Sequence, residues 1–548
     1  MKANFTFFVL LLFLFPFEGT HAQTGFISGS SVPLQPQSTL FGTDIVIHDS
    51  TTENQAQVKI CSSFNGWLYV AYTYFSTKYN SPAIQILKSV DNGITWTVIS
   101  DIVSTPFYNS YLSLDIAVIG DSISNLELFV SWVMSSDSPG YPGQGYVDQF
   151  DAITGNWVNI LLQVGYCYSI ALSTDFMYPA TFSNPRSLGI LYSAGYPFSP
   201  QSDSIIFRSS SDGGMTLNNR QILSSTTVNK FHNVALTYGR SPSWDSGRYF
   251  SAWEDKDSYT SKTGHIFRSH SNPNFNSAFS KPVCIDSIDP SAINKVRNPK
   301  IACQFSSTDN DSSNLTEVIM LEKQLSSNSY DTRGFYNLQA TTSNHFNEFS
   351  LLSSSNNKTQ PDINFNPYNS TFLLTYYDST TQSLPFLTNN VNLTNPGTWN
   401  IVSQAYNDSP NLSAPYPKVA LDMGQQQGAD VWIKEGTGGN GVAMFDAQFN
   451  NYTGIVRNNT TEESQSFKVF PNPCNSSITI VIDLKRKETV KITFNNQIGE
   501  VIGIVADQPF SEGKSLIKYE VTNFSSGSYL LNFMGENFVQ TRKVFIVK

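Results

Sequence analysis

The residues best suited to chemistry in this chain are carboxylates that close apolar or aromatic runs: Trp253-Glu254-Asp255, Leu321-Glu322-Lys323, Tyr377-Asp378 and Trp432-Ile433-Lys434-Glu435. An aromatic face stacks on a sugar ring while a neighbouring carboxylate takes its hydroxyls, and paired carboxylates hydrolyse glycosidic bonds. Asp115, His232, Arg297, Lys300, Asp362 and Lys418 stand where further strands begin. Glu254, Asp255, Asp378, Glu435, Asp362 and Arg297 form the candidate ligand-binding set, and no residue is singled out as catalytic. Such a site would be acidic and aromatic, suited to a neutral sugar, a cation or a basic peptide.

Other constellations fail. There is no His-Glu-x-x-His and no Gly-x-Ser-x-Gly. The glycine-rich segment 436–441 lacks the lysine of a phosphate loop and precedes a strand, so it reads as a hairpin loop. Segment 309–314, Asp-Asn-Asp-Ser-Ser-Asn, offers oxygens to Ca²⁺, but Met320 stands where a calcium loop needs its bidentate glutamate. No cofactor is expected, with Ca²⁺ the one ion considered. Five cysteines show no Cys-x-x-Cys spacing, so no metal site is expected from them; Cys284 and Cys303 are near enough in sequence to pair.

The elements that must position these residues are strands. Aromatics at 13% against charged residues at 14%, with 33 Gly and 26 Pro, favour strands and turns over helices. Apolar runs recur about every sixty residues, at 68–74, 128–134, 188–193, 249–253, 318–321, 372–377 and 431–433. Most are followed by a polar turn leading to Trp96, Trp157, Leu217, Tyr336 or Trp399, with a degenerate copy near Phe275. A four-stranded sheet repeated at this period describes the blade of a propeller, because each blade hides its face only against the next. Seven first hairpins but six second ones imply a shared last blade, completed by the N-terminal strand at 40–47. The fold expected is all-β: a seven-bladed (alternatively six-bladed) β-propeller over 23–457, then a small C-terminal β-sandwich.

Two turns resemble the Asp box of sialidase-type propellers: Ser89-Val90-Asp91-Asn92-Gly93-Ile94-Thr95-Trp96 and Ser210-Ser211-Asp212-Gly213-Gly214-Met215-Thr216-Leu217. The resemblance implies a structural role for Ser89, Asp91, Gly93, Trp96, Ser210, Asp212 and Gly214, at turns away from the functional face. Sialidase activity is not expected. That family places its first substrate-binding arginine in an Arg-Ile-Pro motif ahead of the first box, whereas the first arginine here is Arg186. Lysine does not reproduce a bidentate arginine clamp.

Both ends of the chain read as addresses. Residues 1–22 form a signal peptide, with Lys2, an apolar run at 9–17 and Thr20-His21-Ala22 as the cleavage site. After a polar linker at 458–466, residues 467–548 resemble the C-terminal sorting domain of the type IX secretion system of Bacteroidetes. The resembling residues are Phe470-Pro471-Asn472-Pro473, Gln497-Ile498-Gly499-Glu500, Gly527-Ser528-Tyr529-Leu530 and the final Lys543-Val544-Phe545-Ile546-Val547-Lys548. This implies a secreted or outer-membrane cell-surface protein that engages the secretion machinery through 467–548. The net charge is −10, and the region between the two addresses carries about −13, which argues against nucleic acid as a partner. No later stretch is long and apolar enough for a membrane-spanning helix. The expected function is binding of an extracellular glycan or surface protein, with a glycoside hydrolase other than a sialidase as the alternative.

Overall fold

The computed structural model describes residues 44–447 and 466–548, except 49–53, 64–65, 92, 104–109, 121–124, 136–141, 176–185, 196–202, 241–246, 259–260, 262, 273–278, 287–295, 306–314, 327–328, 352–357, 367–369, 391–398, 404–406, 408–418, 423–427, 437–439, 473, 485, 497–500 and 536–538. The signal peptide, the turn near Phe275, the candidate calcium loop at 309–314, Lys418 and most of the linker lie outside these residues. The chain divides into two units, 1–449 and 450–548.

The first unit is built of antiparallel meanders. Its first sheet runs Gln55–Ser62, Leu68–Ser76, Ser81–Ser89 and Thr97–Val103 in chain order. The second strand is rich in β-branched and aromatic residues and is buried along nearly its whole length, as a strand packed on both faces must be. Sheets starting at Lys230–Gly239, Val296–Cys303 and Lys358–Asn366 repeat the order. A seven-stranded sheet contains two such groups, because the 18-residue strand Trp157–Thr174 serves both. Its first half pairs with Gly143–Asp151 as an outer strand, and its second half pairs with Leu188–Ala194 as an inner one. No turn therefore separates those two groups. No proline interrupts residues 157–174, and register shifts absorb the change of direction.

Successive inner strands neighbour one another, and Val419–Asp422 neighbours Gln55–Ser62, so the ring closes as a β-propeller. Closure uses both ends of the unit. Ile45 and Val46 pair with Phe445 and Met444 as the outer strand of the sheet formed by Val419–Asp422, Ala429–Glu435 and Gly441–Ala447. Closing the ring buries the free face of the last sheet against the first, which an open array would leave exposed. Apolar clusters fill the spaces between neighbouring sheets; Tyr69, Ile84, Leu114 and Val130, for example, pack into one core.

Both expected boxes form, with matching geometry. Asp91 Oδ1 accepts from the Thr95 N–H at 2.9 Å and Oδ2 from its hydroxyl at 2.6 Å; Asp212 repeats both distances with Thr216. Gly93 and Gly214 have φ of +83° and +86°, and a Cβ at either would strike the ring of Phe445 or Phe129. Trp96 packs edge-on against Phe445 at 5.2 Å. One expected turn residue is misplaced. Tyr336 lies inside the third strand Ser329–Asn337, paired with Val318 and Asn347, and the turn follows it at 338–342. Cys284 and Cys303, near enough in sequence to pair, form no disulfide with each other.

The second unit contains a three-stranded sheet (Ser466–Phe470, Ser477–Leu484, Gly513–Glu520) and a four-stranded one (Val501–Phe510, Glu488–Asn495, Gly527–Met534, Val539–Ile546). Alternation is clean in Ser477–Leu484, whose Ile478, Ile480, Ile482 and Leu484 enter a core shared with Val490, Ile492, Leu531 and Phe533. Cys474 is buried beside the C-terminal strand, its N–H bonded to Phe545 O at 2.8 Å.

Candidate functional site

The inner strands surround a central cavity of about 410 Å³. Its lining follows from strand alternation: Ile60, Leu114 and Ile363 turn into the cores between sheets, and their neighbours Lys59, Asp115 and Asp362 reach the channel. Lys300 joins them from the strand Val296–Cys303. Ser113, Ser169, Ser173 and Thr237 add hydroxyls, and Gln57, Asn233, Asn298 and Gln360 add amides.

The charged groups form a coupled set of two lysines and two aspartates. Burial opposes the Lys59 charge, but Asp362 and Asp115 outweigh it and hold its pKa above the ordinary lysine value. Lys300 moves the other way, since the Lys59 charge, reinforced by burial, brings it down to about 8. Burial raises the Asp115 carboxyl, against the pull of Lys59. Asp115 is fixed by N–H bonds from Leu172 at 2.9 Å, which ties neighbouring inner strands together, and from Ile116 of its own strand at 3.0 Å. Glu322 also lines the cavity and is paired with Arg297, so the channel is near charge balance and polar rather than acidic and aromatic. The expected acidity came from second-strand carboxylates, most of which do not reach the cavity.

Those carboxylates build the walls. Asn233 Nδ2 donates to Glu254 Oε2 at 2.7 Å and to Asn298 Oδ1 at 2.8 Å, and Asn298 Nδ2 donates to Glu322 Oε1 at 3.1 Å. Glu322 also accepts from Arg297 Nε at 2.7 Å and from the Gln360 N–H at 2.9 Å. Lys256 neutralises Glu254 at 3.2 Å, and the Arg297 guanidinium lies 3.5 Å from the centre of the Tyr330 ring. Asn298 and Gln360 each take φ of +54° at a bulge, and this chain of bonds holds them there.

The structure thus separates the candidates. Asp362 lines the cavity. Glu254 and Arg297 belong to the wall network beside it, with Glu254 fully buried. Asp378 caps the turn after its strand, accepting from the Thr380 N–H at 2.9 Å. Glu435 is exposed at the end of Ala429–Glu435, and Asp255 lies opposite His265 on the neighbouring strand. His232 stacks on Tyr168 at 4.4 Å; burial, helped by the Lys256 charge, lowers its pKa to about 3, so it stays neutral. The boxes stand at the opposite strand ends: Ser89 pairs with Leu68, the first residue of its second strand, whereas Glu254, Asp255, Asp378 and Glu435 come last or nearly last in theirs. Sequence reading missed Lys59, Asn233, Asn298 and Gln360. The available signal was a polar or charged residue inside an apolar first strand, as in Gln57-Val58-Lys59-Ile60.

Residues 468–548 match the family model described as a secretion system C-terminal sorting domain. Among curated proteins, none matches the chain. Similar solved structures include a Penicillium chrysogenum α-L-arabinanase complexed with arabinobiose (14% identity, 74% of this chain and 98% of that one, TM-score 0.41). An α-L-arabinofuranosidase from Fusarium graminearum is similar at 13% identity, over 75% of this chain and 98% of its own, with a TM-score of 0.42. Trypanosoma rangeli sialidase is similar at 8% identity, over 91% and 87%, with a TM-score of 0.37. The propeller assignment rests on strand order and ring closure. Among the described residues, no helix is long and apolar enough to cross a membrane. The chain is a β-propeller protein handled by the type IX secretion system through the sorting domain at residues 468–548, and so a secreted or cell-surface protein.

Proposed function

We propose that the propeller is an extracellular binding module that takes a small neutral polar ligand, a glycan unit first of all, in its central channel. The observation that carries this reading is the cavity itself: about 410 Å³, walled by amides, hydroxyls and a balanced set of lysines and aspartates. A sugar ring needs many directional donors and acceptors and no net charge, and such a wall supplies both. An anionic glycan would need cations in excess, and Asp115 and Asp362 offset Lys59 and Lys300.

The test is calorimetric titration of the full exported chain against neutral oligosaccharides, with sialylated ones as controls and reducing-sugar release followed in parallel. Saturable binding of a neutral glycan is expected, weakened about tenfold or more by Asp362→Asn, which removes a charge-assisted hydrogen bond while conserving shape. Equal binding by wild type and Asp362→Asn would remove the channel from the account. Steady release of reducing ends would replace binding with hydrolysis.

A further inference from the structure

We propose that His265, Cys284 and Asp286 form a zinc-class metal site on the outer strands of the sheet that starts at Lys230–Gly239, independent of the channel. The short strand Val283–Cys284 pairs with His265–His270 through Cys284↔Phe267, and the next link, Ile285 N–H to Ile266 O, continues that register at 2.9 Å. Asp286 therefore falls opposite His265, and Cys284, two residues earlier, shares its face and lies diagonal to the imidazole.

The side chains converge accordingly. His265 Nδ1 is 3.0 Å from Asp286 Oδ2, Cys284 Sγ is 2.8 Å from Asp286 Oδ1, and Sγ is 3.8 Å from Nδ1. All three ligand atoms lie within 4.8 Å of one another. Tetrahedral zinc, with bonds of about 2.3 Å to sulfur and about 2.0–2.2 Å to nitrogen and oxygen, sets its ligand atoms roughly 3.3–3.6 Å apart. Shifts of a few tenths of an ångström would open the cluster to that spacing. The Asp286 side chain is wholly buried, and among the described residues no lysine or arginine pairs with it. A buried carboxylate between a thiol and an imidazole favours a cation. The mixed sulfur, nitrogen and oxygen set selects zinc over calcium or magnesium, which take oxygen alone.

Asp255 faces His265 from the other side in the same cross-strand row, and its negative charge adds to the attraction. Three protein ligands leave a fourth position for water or an exogenous group. The bound ion would tie a two-residue outer strand to its sheet, so the site is a fastening as well as a ligand-binding position.

The experiment uses the full chain, chelator-treated under reducing conditions, then equilibrated with zinc or with cobalt as a spectroscopic probe. Expected are one zinc per chain retained through gel filtration, a thiolate-to-cobalt charge-transfer band, and protection of Cys284 from thiol reagents. Cys284→Ser should abolish the band, and Asp286→Asn should weaken zinc binding at least about tenfold. Failure of the wild-type chain to retain zinc overturns the proposal without reference to any variant. Zinc retained equally by Cys284→Ser overturns it too, by placing the metal elsewhere.

Discussion

The box turns and the channel wall handle buried and half-buried polar groups in opposite ways. At each box, Ser, Asp, Gly and Thr satisfy one another within seven residues, and the two copies agree in bond length to within about 0.2 Å. In the wall, Asn233 reaches 21 residues to Glu254 and 65 to Asn298, while Glu322 accepts the Gln360 N–H from 38 residues away. A local network forms with little loop-closure entropy and tolerates being alone; a distributed one exists only once several sheets have met. The difference teaches where damage should spread: a broken box loosens one turn, and a broken wall bond leaves charges stranded in three strands.

The largest effect should come from the wall. Glu322→Ala leaves Arg297, Asn298 and the Gln360 N–H without their shared acceptor, and should destabilise the propeller by about 3–5 kcal/mol; denaturant titration measures it, and a loss below that of a box mutant would break the comparison. Next is Gly93→Ala, which meets both the left-handed φ and the Phe445 ring, for a cost of about 2–4 kcal/mol. The Phe445→Leu background should recover part of that loss if the ring is the obstacle. Asp212→Ala removes two bonds to Thr216 at an exposed turn and should cost only about 1–2 kcal/mol, with channel ligand binding unchanged.

The last effect is a pH dependence. Lys300 has a folded pKa of about 8 against an ordinary 10.5, so between those values the unfolded chain binds the extra proton. Stability from this group is therefore lowest below pH 8 and rises as pH climbs from 8 toward 10.5. Lys300→Met should flatten that rise, read as converging unfolding midpoints of variant and wild type at alkaline pH. Parallel curves across the window would show that Lys300 is not coupled to Lys59.

How much was legible follows from the same division. The seven second strands announced themselves because each is a short apolar run bounded by polar turns, and the sandwich strands because they alternate. The boundaries erred where polar residues extend the ladders, as in Arg248–Lys256 and Glu317–Ser326. The long strand Trp157–Thr174 escaped because its two halves serve different four-stranded groups of one sheet, and no local signal distinguishes that from two strands and a turn. Of the candidate site, Asp362, Arg297 and Glu254 lie at or beside the cavity, whereas Asp378 caps its own turn.

The sequence by itself determined the elements whose causes are local: strand periodicity, the glycine and aspartate chemistry of the boxes, and the sorting-domain motifs. Tertiary structure alone decided which polar residues share a space. Lys59 and Lys300 are 241 positions apart in sequence and become neighbours only when the ring closes. His265 meets Cys284 and Asp286 only through strand register. Contacts between sheets depend on how each meander packs against the next, and that is fixed by burial of whole faces, to which no short stretch of residues corresponds.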